Sequence, residues 1–257
     1  MEPVRSPRNA KVAEANRLRR ARDRRATCLT LLEGPHVLEE AEGAGDDIRR
    51  IFALADDAAA DDAARRSGAE LVIVEQAVLD RLAPTESPRG PIAVMAIPPP
   101  ATGRADTVVM AVTDPGNAGT IIRTAAAFGF DVSATGGAVD VWSPKVVRAG
   151  AGAHFRTRFV QEIPSAGIAT VVSGGIAPRD LASELDPERS WAVLVGSEAH
   201  GLARDLADSA AVRVTIPMPG GTESLNAAVA AAIVMYEVAE WRAGFPRTDL
   251  ANVATPP

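Results

Sequence analysis

An asparagine, a glycine and an arginine stand at fixed spacing where a predicted strand passes into a helix. The apolar residues 108–112 predict the strand, and Asn117, Gly119 and Arg123 follow it. Gly119 allows the backbone to come close to a ligand, and Asn117 and Arg123 lie less than two helical turns apart. Both side chains could therefore face one cleft. In the alternative interpretation Asn117 is only a helix cap and Arg123 a surface residue, although the apolar neighbours of Arg123 do not favour this.

A second loop contains two glycines around a glutamate. Gly196, Glu198 and Gly201 follow the apolar residues 192–195, which predict a strand. The loop lacks the lysine of a phosphate-binding loop and the three-glycine pattern of a dinucleotide site. Glu198 could bind a ligand or orient an arginine, or it could be an acidic residue near a helix N-terminus.

A third loop, residues 216–226, contains two prolines and two glycines before an alanine-rich helix. Such an irregular loop can bind a ligand through its main-chain groups, as adenine recognition often requires. Ser224 is well suited to cap the helix, which is the alternative to a functional role. Asn226 would lie in the first helical turn, where its helix propensity is poor.

These loops need a framework that brings them together. Apolar segments at 108–112, 132–134, 169–172, 192–195 and 212–216 predict strands that alternate with helices, and a final helix is predicted over 224–242. Near-continuous apolar strands of this kind indicate a mostly parallel sheet that is covered on both faces. Since ligands bind at the carboxyl ends of such strands, the three loops are expected to form one site.

The first part of the chain predicts a separate, small α/β domain. Strands are predicted at 28–32, 48–54, 71–74 and 92–97, again alternating with helices. Three consecutive prolines, residues 98–100, favour an extended connection. We therefore predict a first domain over residues 1–98, a linker over 99–106 and a second domain over 107–257.

The N-terminal residues carry a charge opposite to that of the whole chain. Residues 1–25 contain eight arginines and one lysine against three acidic residues, whereas the chain has a net charge of −6. A helix predicted over 10–26 places Arg17, Arg20 and Arg24 beside an apolar stripe. This pattern indicates local contact with a polyanion such as RNA, and a simple solvated helix is the alternative.

Composition excludes several other classes of protein. Hydrophobic residues make up 47% and charged residues 23% of the chain, as in ordinary soluble globular proteins. No apolar run approaches the roughly 18 residues of a membrane span, and no secretory signal is expected. The single cysteine fits a reducing cytoplasm, and the three histidines lack ligand spacing, so no metal site is expected.

In this order and spacing, the three loops resemble the motifs of the SpoU/TrmH family within the SPOUT superfamily of RNA methyltransferases. The family motif N-x-G-x-x-x-R is matched by Asn117, Gly119 and Arg123. The motif V-x-G-x-E-x-x-G is matched by Val195, Gly196, Glu198 and Gly201, and I-P-M-x-G-x-x-x-S-L-N by residues 216–226. The resemblance covers about residues 107–242, and residues 1–98 look more loosely like the ribosomal-protein-like substrate-binding domain of many members.

The resemblance implies a SPOUT-type α/β fold, in which the C-terminal segment of the parallel sheet forms a trefoil knot. It also implies that S-adenosylmethionine binds where the second and third loops meet, at Gly196, Ile216, Met218 and Leu225. The family acts as a homodimer with the site near the subunit interface. The small residues of the last helix would allow close packing there, or that helix could pack only on its own sheet.

The implied reaction is methylation of a ribose 2′-hydroxyl. By resemblance Arg123 activates this hydroxyl, and Asn117, Glu198, Ser224 and Asn226 orient the reacting groups. Because the guanidinium pKa lies above about 12, we favour an Arg123 that stabilises the developing alkoxide over one that acts as a base. The 2′-hydroxyl exists only in RNA, and we expect large-subunit rRNA as substrate, contacted by Arg17, Arg20 and Arg24.

Three alternatives to this expectation concern the substrate, the activity and the class of enzyme. A tRNA could be the substrate, or the chain could be a catalytically silent RNA-binding or ribosome-assembly protein of the same fold. The intact motif residues speak against a silent protein. A nucleotide-binding enzyme such as a dehydrogenase would need a glycine fingerprint after residues 108–112, and this fingerprint is missing.

Overall fold

The computed structural model describes residues 2–83, 90–103, 105–135 and 137–244 of the 257-residue chain. The chain forms two compact units. The first contains residues 1–99 and 140–156, and the second contains residues 100–139 and 157–257. Each unit therefore combines two separate stretches of sequence.

The first unit contains a four-stranded mixed sheet. Its strands are β1 (Leu29–Glu33), β2 (Ile48–Ala53), β3 (Glu70–Ile73) and β4 (Ile92–Ala96), in the order β1-β4-β2-β3, and only β2 and β3 among these neighbours are parallel. The helices of its first stretch are α1 (Ala10–Arg17), α2 (Ala21–Thr27), α3 (Pro35–Gly43), α4 (Ala58–Ser67) and α5 (Gln76–Leu82). Leu31, Phe52 and Ile92 are fully buried in its core. The predicted small α/β arrangement is confirmed.

The prediction of one basic helix over residues 10–26 is wrong in one respect, because these residues form two helices, α1 and α2. Leu18 is buried at the end of α1, and Arg20 has an extended backbone. The guanidinium of Arg24 donates to the Leu18 carbonyl at 2.8 Å and pairs with the Asp140 carboxylate at 2.5 Å. These contacts hold the chain in a corner where sequence periodicity predicts a continuous helix.

The stretch 140–156 contributes buried contacts to the first unit. It contains α7 (Pro144–Gly150) and a 3-10 turn, Ala153–Arg156. Arg148 donates to the buried carboxylate of Glu33 at 2.5 Å. Burial lowers the pKa of His154 to about 4 although its hydrogen bond to a backbone carbonyl acts in the opposite direction, so this histidine is neutral at pH 7.

The residues between the two predicted domains make defined contacts within the second unit. The Ala101 N–H donates to the Phe159 carbonyl at 2.8 Å. Asp106 is buried and accepts hydrogen bonds from the Trp191 N–H at 2.8 Å and from the Arg242 guanidinium at 2.9 and 3.0 Å. In the predicted linker 99–106, residue 104 lies outside the described residues, as do residues 245–257 of the predicted second domain.

The second unit contains a five-stranded parallel sheet. Its strands are β5 (Thr107–Met110), β6 (Asp131–Ala134), β7 (Ala166–Thr170), β8 (Trp191–Val195) and β9 (Val212–Val214), in the order β6-β5-β8-β7-β9. The helices are α6 (Pro115–Phe128), α8 (Arg204–Asp208) and α9 (Ala227–Gly244), with a 3-10 helix at Pro178–Ser183. The α/β class and the parallel sheet agree with the prediction. Among the described residues, none of the helices is both long and apolar enough to cross a membrane.

Candidate active site

The three loops identified in the sequence follow the carboxyl ends of β5, β8 and β9. A cavity of about 790 Å³ lies beside the loops that follow β8 and β9. Ligand sites in proteins commonly have volumes of 300–1,000 Å³, so this cavity is large enough for a nucleoside-sized molecule. The parallel sheet therefore positions the loops at the edge where such folds bind ligands.

In the first loop, the helix cap is Asp114 and not Asn117. The Asp114 carboxylate accepts the Asn117 N–H at 2.8 Å, and Pro115 occupies the first position of α6. The interpretation of Asn117 as the cap is therefore wrong, and its side-chain amide is available for other contacts. This amide donates to Glu198 Oε1 at 2.8 Å.

Arg123 lies farther along the same helix and is exposed. Within the described residues, its guanidinium makes no hydrogen bond or ion pair. The side chain does not line the cavity. Arg123 is therefore positioned as a free cation outside the pocket.

In the second loop, glycine is required at position 196. A Cβ atom there would lie 2.1 Å from the Gly201 carbonyl carbon and 2.2 Å from the Leu202 nitrogen. Two backbone hydrogen bonds, Ser197 N–H to the Gly201 carbonyl at 3.0 Å and Gly201 N–H to the Ser197 carbonyl at 2.9 Å, close this loop. Gly201 has a φ of +66°, which favours glycine there as well. The closed loop projects Glu198 toward the first loop.

Glu198 is held by donors from the first loop. Its Oε2 accepts the Thr113 N–H at 3.1 Å and the Thr113 hydroxyl at 3.2 Å, and its Oε1 accepts the Asp114 N–H at 3.3 Å in addition to Asn117. Desolvation raises its pKa, but the hydrogen bonds from Asn117 and from backbone N–H groups outweigh this and lower the pKa to about 2. Glu198 is therefore ionised at neutral pH, and it is too weak a base to accept a proton there.

In the third loop, Asn226 caps the last helix and connects the loops. α9 begins at Ala227, not at the predicted Ser224, and Asn226 Oδ1 accepts the Ala228 N–H at 2.8 Å and the Val229 N–H at 3.3 Å. The Asn226 amide donates to Asn117 Oδ1 at 2.8 Å. A chain of hydrogen bonds thus runs from Asn226 through Asn117 to Glu198 and joins all three loops.

Ser224 does not lie at the cap of the last helix, where its residue type would suit it. Its side chain is exposed and lines the cavity. It does not cap α9, and among the described residues it makes no side-chain hydrogen bond. Of the five predicted catalytic residues, the structure therefore connects Asn117, Glu198 and Asn226, whereas Ser224 and Arg123 stand outside this network.

The four residues predicted to bind the cofactor lie around one cavity. Gly196, Ile216, Met218 and Leu225 all line the cavity, and Leu225 is 39% exposed. This mixture of apolar side chains and a close-packed glycine backbone suits a nucleoside ligand such as S-adenosylmethionine. Thr113 lies in the first loop, but no role was predicted for it, because its contacts with Glu198 depend on a residue 85 positions away.

The three arginines predicted to contact RNA lie in the first unit, and they differ in exposure. Arg17 and Arg20 are exposed and, within the described chain, free of ion pairs. Arg24 is only 3% exposed, and its guanidinium is bound to Asp140 and Leu18. The structure therefore places Arg24 as an internal connection, where it does not present its charge to a phosphate.

Within the part of the chain that the structure describes, no group of three or more histidine, cysteine, aspartate or glutamate side chains is arranged to hold a metal ion. The connected part of the site consists of the Asn117 and Asn226 amides and the Glu198 carboxylate.

Comparison with known proteins agrees with this geometry. Residues 106–236 match the SpoU rRNA methylase family, and residues 9–93 match the MRM3-like substrate binding domain. The chain is 31% identical over 252 residues to the 23S rRNA (guanosine(2553)-2'-O)-methyltransferase RlmP of Bacillus subtilis. The aligned region covers 93% of this chain and 99% of the relative.

Solved structures show the same similarity. The SpoU methyltransferase AviRb from Streptomyces viridochromogenes, in complex with AdoMet, superposes with a TM-score of 0.80 at 26% identity, over 92% of this chain and 99% of that chain. A structure described as an RNA 2'-O ribose methyltransferase superposes with a TM-score of 0.75 at 27% identity, over 94% and 100% of the two chains. The chain therefore belongs to the SpoU rRNA methylase family, the S-adenosylmethionine-dependent RNA methyltransferases whose motifs its three loops resemble.

Proposed function

We propose that this protein methylates a ribose 2′-hydroxyl in large-subunit rRNA, with S-adenosylmethionine as the methyl donor. The observation that carries the proposal is the chain of hydrogen bonds from Asn226 through Asn117 to Glu198, at 2.8 Å each, beside the cavity. All four residues assigned to the donor line that cavity. The activity of RlmP, a 23S rRNA 2'-O-methyltransferase similar along almost its whole length, supports the choice of rRNA.

The donor site consists mainly of residues from the second and third loops. Gly196 keeps the backbone of its loop close to Gly201, and Ile216, Met218 and Leu225 supply apolar contacts. When bound there, S-adenosylmethionine supplies an activated methyl group on a sulfonium centre. The chain itself then has to position the ribose and stabilise the charge that develops on its oxygen.

Arg123 is the residue suited to stabilise the charge that develops on the ribose oxygen. It is exposed and, among the described residues, has no ion partner, so its charge is available to an RNA ribose and the adjacent phosphate. A guanidinium carries a delocalised positive charge and presents only N–H donors. Arg123 therefore stabilises the developing alkoxide electrostatically, and it does not remove the proton as a base.

Asn117, Glu198 and Asn226 act as positioning residues. Glu198 remains ionised at neutral pH because its pKa is lowered to about 2, and it holds Asn117 and the loop of Thr113 in place. Asn226 fixes the start of α9 relative to Asn117. Ser224, exposed on the cavity wall, presents a hydroxyl that is available to contact the ligand.

The first unit selects the RNA in this proposal. Arg17 and Arg20 contact phosphates, whereas Arg24 stabilises the corner between α1 and α2. The match of residues 9–93 to a substrate-binding domain supports this role. Binding through phosphates should weaken steeply with added salt.

We also propose a trefoil knot at the C-terminal end of the parallel sheet, a homodimer and a cytoplasmic location. Family membership supports the knot. Exposed apolar side chains on α9, Val229 at 47% and Tyr236 at 48%, support an interface between two copies, which light scattering of the purified protein would test. The single cysteine, which fits a reducing compartment, supports a cytoplasmic location.

Mapping of 2′-O-methyl groups tests the substrate. The rRNA of a deletion strain should lack one methylated nucleotide, and the purified protein with tritiated S-adenosylmethionine should restore it. Restoration on tRNA alone would favour the tRNA alternative. Binding of the donor without methylation of any RNA from the deletion strain would favour the catalytically silent alternative.

A further inference from the structure

One side of the cavity carries charged residues that belong to none of the three motifs. Arg204 and Asp208 lie four residues apart on α8, and Arg213 lies on β9. Residues at this spacing share a helix face, which explains why both α8 side chains line the cavity. The remaining carboxylate of the wall, Glu198, is occupied by donors from the first loop.

The three charged side chains are not equally available. Arg213 Nη1 lies 3.5 Å from Asp208 Oδ1, so Asp208 is paired with Arg213 and not with Arg204. Arg204 is exposed at the cavity and makes no ion pair or hydrogen bond within the described part of the chain. The cavity therefore presents one cation whose charge is not compensated by a neighbouring side chain.

The chemistry of the donor suggests what this cation binds. The adenosine part of S-adenosylmethionine is uncharged, whereas its amino-acid end carries a carboxylate. A planar guanidinium binds carboxylates through two parallel hydrogen bonds. We propose that Arg204 binds the α-carboxylate of S-adenosylmethionine and so selects ligands with an intact amino-acid end, an inference that rests on the proposed function.

Two non-reacting ligands separate this contact from the rest of the cavity. S-adenosylhomocysteine retains the α-carboxylate, whereas 5′-methylthioadenosine lacks the whole amino-acid end. Calorimetric titration of the wild-type protein should show tighter binding of S-adenosylhomocysteine, and added salt should reduce this preference. The readout is binding, so it does not depend on an RNA substrate.

Substitution of Arg204 should remove the preference. In Arg204→Gln we expect S-adenosylhomocysteine to bind about 3- to 10-fold more weakly, because an exposed charge pair contributes modestly, and 5′-methylthioadenosine to bind within about twofold of wild type. Arg204→Lys keeps the charge and should lose less. Arg189→Gln is the control, since Arg189 is exposed and paired with Asp186 but does not line the cavity, and the ligand preference of this variant should stay within about twofold of wild type.

Each failure has a distinct meaning. Wild-type protein that binds neither ligand would contradict the proposed function itself. If wild type binds both and Arg204→Gln weakens both equally, Arg204 shapes the cavity and the proposal is wrong. Unchanged binding of both ligands, or a loss confined to RNA affinity, would also overturn it, the latter because Arg204 would then contact a phosphate. If Arg204→Gln does not fold, Arg204→Lys and the salt dependence of wild type decide the question.

Discussion

The three-loop network of Asn117, Glu198 and Asn226 and the basic corner of α1 and α2 use polar side chains in opposite ways. In the network each side chain is bound by another at 2.8 Å, so its geometry is set without a ligand. In the corner Arg24 is fixed in this manner, whereas Arg17 and Arg20 are exposed and make no ion pair among the described residues. Chemistry needs positions held within fractions of an ångström, whereas attraction of a polyanion needs charge that remains available.

The strongest test of this comparison is Arg123, a charged site residue of the second unit that makes no ion pair among the described residues. Arg123→Ala should reduce methyl transfer to rRNA about 1,000-fold, the upper range for loss of one group that stabilises an oxyanion. Binding of S-adenosylhomocysteine should stay within about twofold, because Arg123 does not line the cavity. Single-turnover kinetics and calorimetry measure the two effects.

Arg123→Lys serves as the control for charge alone. It should recover part of the lost rate, since an ammonium group retains the charge but not the planar pair of donors. Turnover of Arg123→Ala close to that of wild type on the cognate rRNA would contradict the assignment.

A smaller loss is expected when the network is weakened without removal of a reacting group. Glu198→Gln replaces an acceptor of N–H groups from Thr113, Asp114 and Asn117 with a side chain that has its own N–H donors. Two weakened charge-assisted hydrogen bonds should lower the single-turnover rate about 100-fold. Glu223→Gln, an exposed substitution in the third loop, is the control.

The pH dependence distinguishes a positioning Glu198 from a proton acceptor. Because the pKa of Glu198 is lowered from 4.5 to about 2, its contribution to folding is complete above about pH 4.5 and is lost as the pH falls toward 2. The wild-type rate should therefore show no titration of Glu198 between pH 6 and 9. A rate step near neutral pH that disappears in Glu198→Gln would show that the carboxylate acts as a base.

Among substitutions in the first unit, the largest expected effect is on the stability of the protein and not on RNA binding. Arg24→Ala leaves the Asp140 carboxylate without its partner and removes the donor to the Leu18 carbonyl. The free energy of unfolding should fall by about 3 kcal/mol, as measured by urea denaturation. Arg25→Ala, next to it but exposed, should change it by less than about 0.5 kcal/mol. Equal stabilities of the two variants would remove the distinction between buried and exposed arginines.

Sequence patterns predicted the parallel sheet, because strand periodicity is a local property, whereas the four donor residues that line the cavity were predicted only from the resemblance to the family motifs. The patterns did not predict that Asp114 caps α6, since Asn117 is also a suitable cap by type. Nor did they predict the corner between α1 and α2. That corner depends on Arg24 and Asp140, which are 116 residues apart, and local periodicity contains no information on such a contact.

The smallest predicted effect concerns the free arginines of the basic corner. Arg17→Ala combined with Arg20→Ala should weaken binding to rRNA about 10-fold at low salt and should reduce the slope of log affinity against log salt by about 2, one unit for each phosphate contact. Stability should change by less than about 0.5 kcal/mol, because neither side chain is buried. Filter binding over a range of salt concentrations measures the slope. Arg65→Ala combined with Arg66→Ala on α4, whose arginines are exposed but paired with Asp61 and Glu42, removes the same two charges and should leave the slope unchanged. If both variants change the slope equally, the first unit attracts RNA through its total charge, and the distinction drawn for Arg17 and Arg20 does not hold.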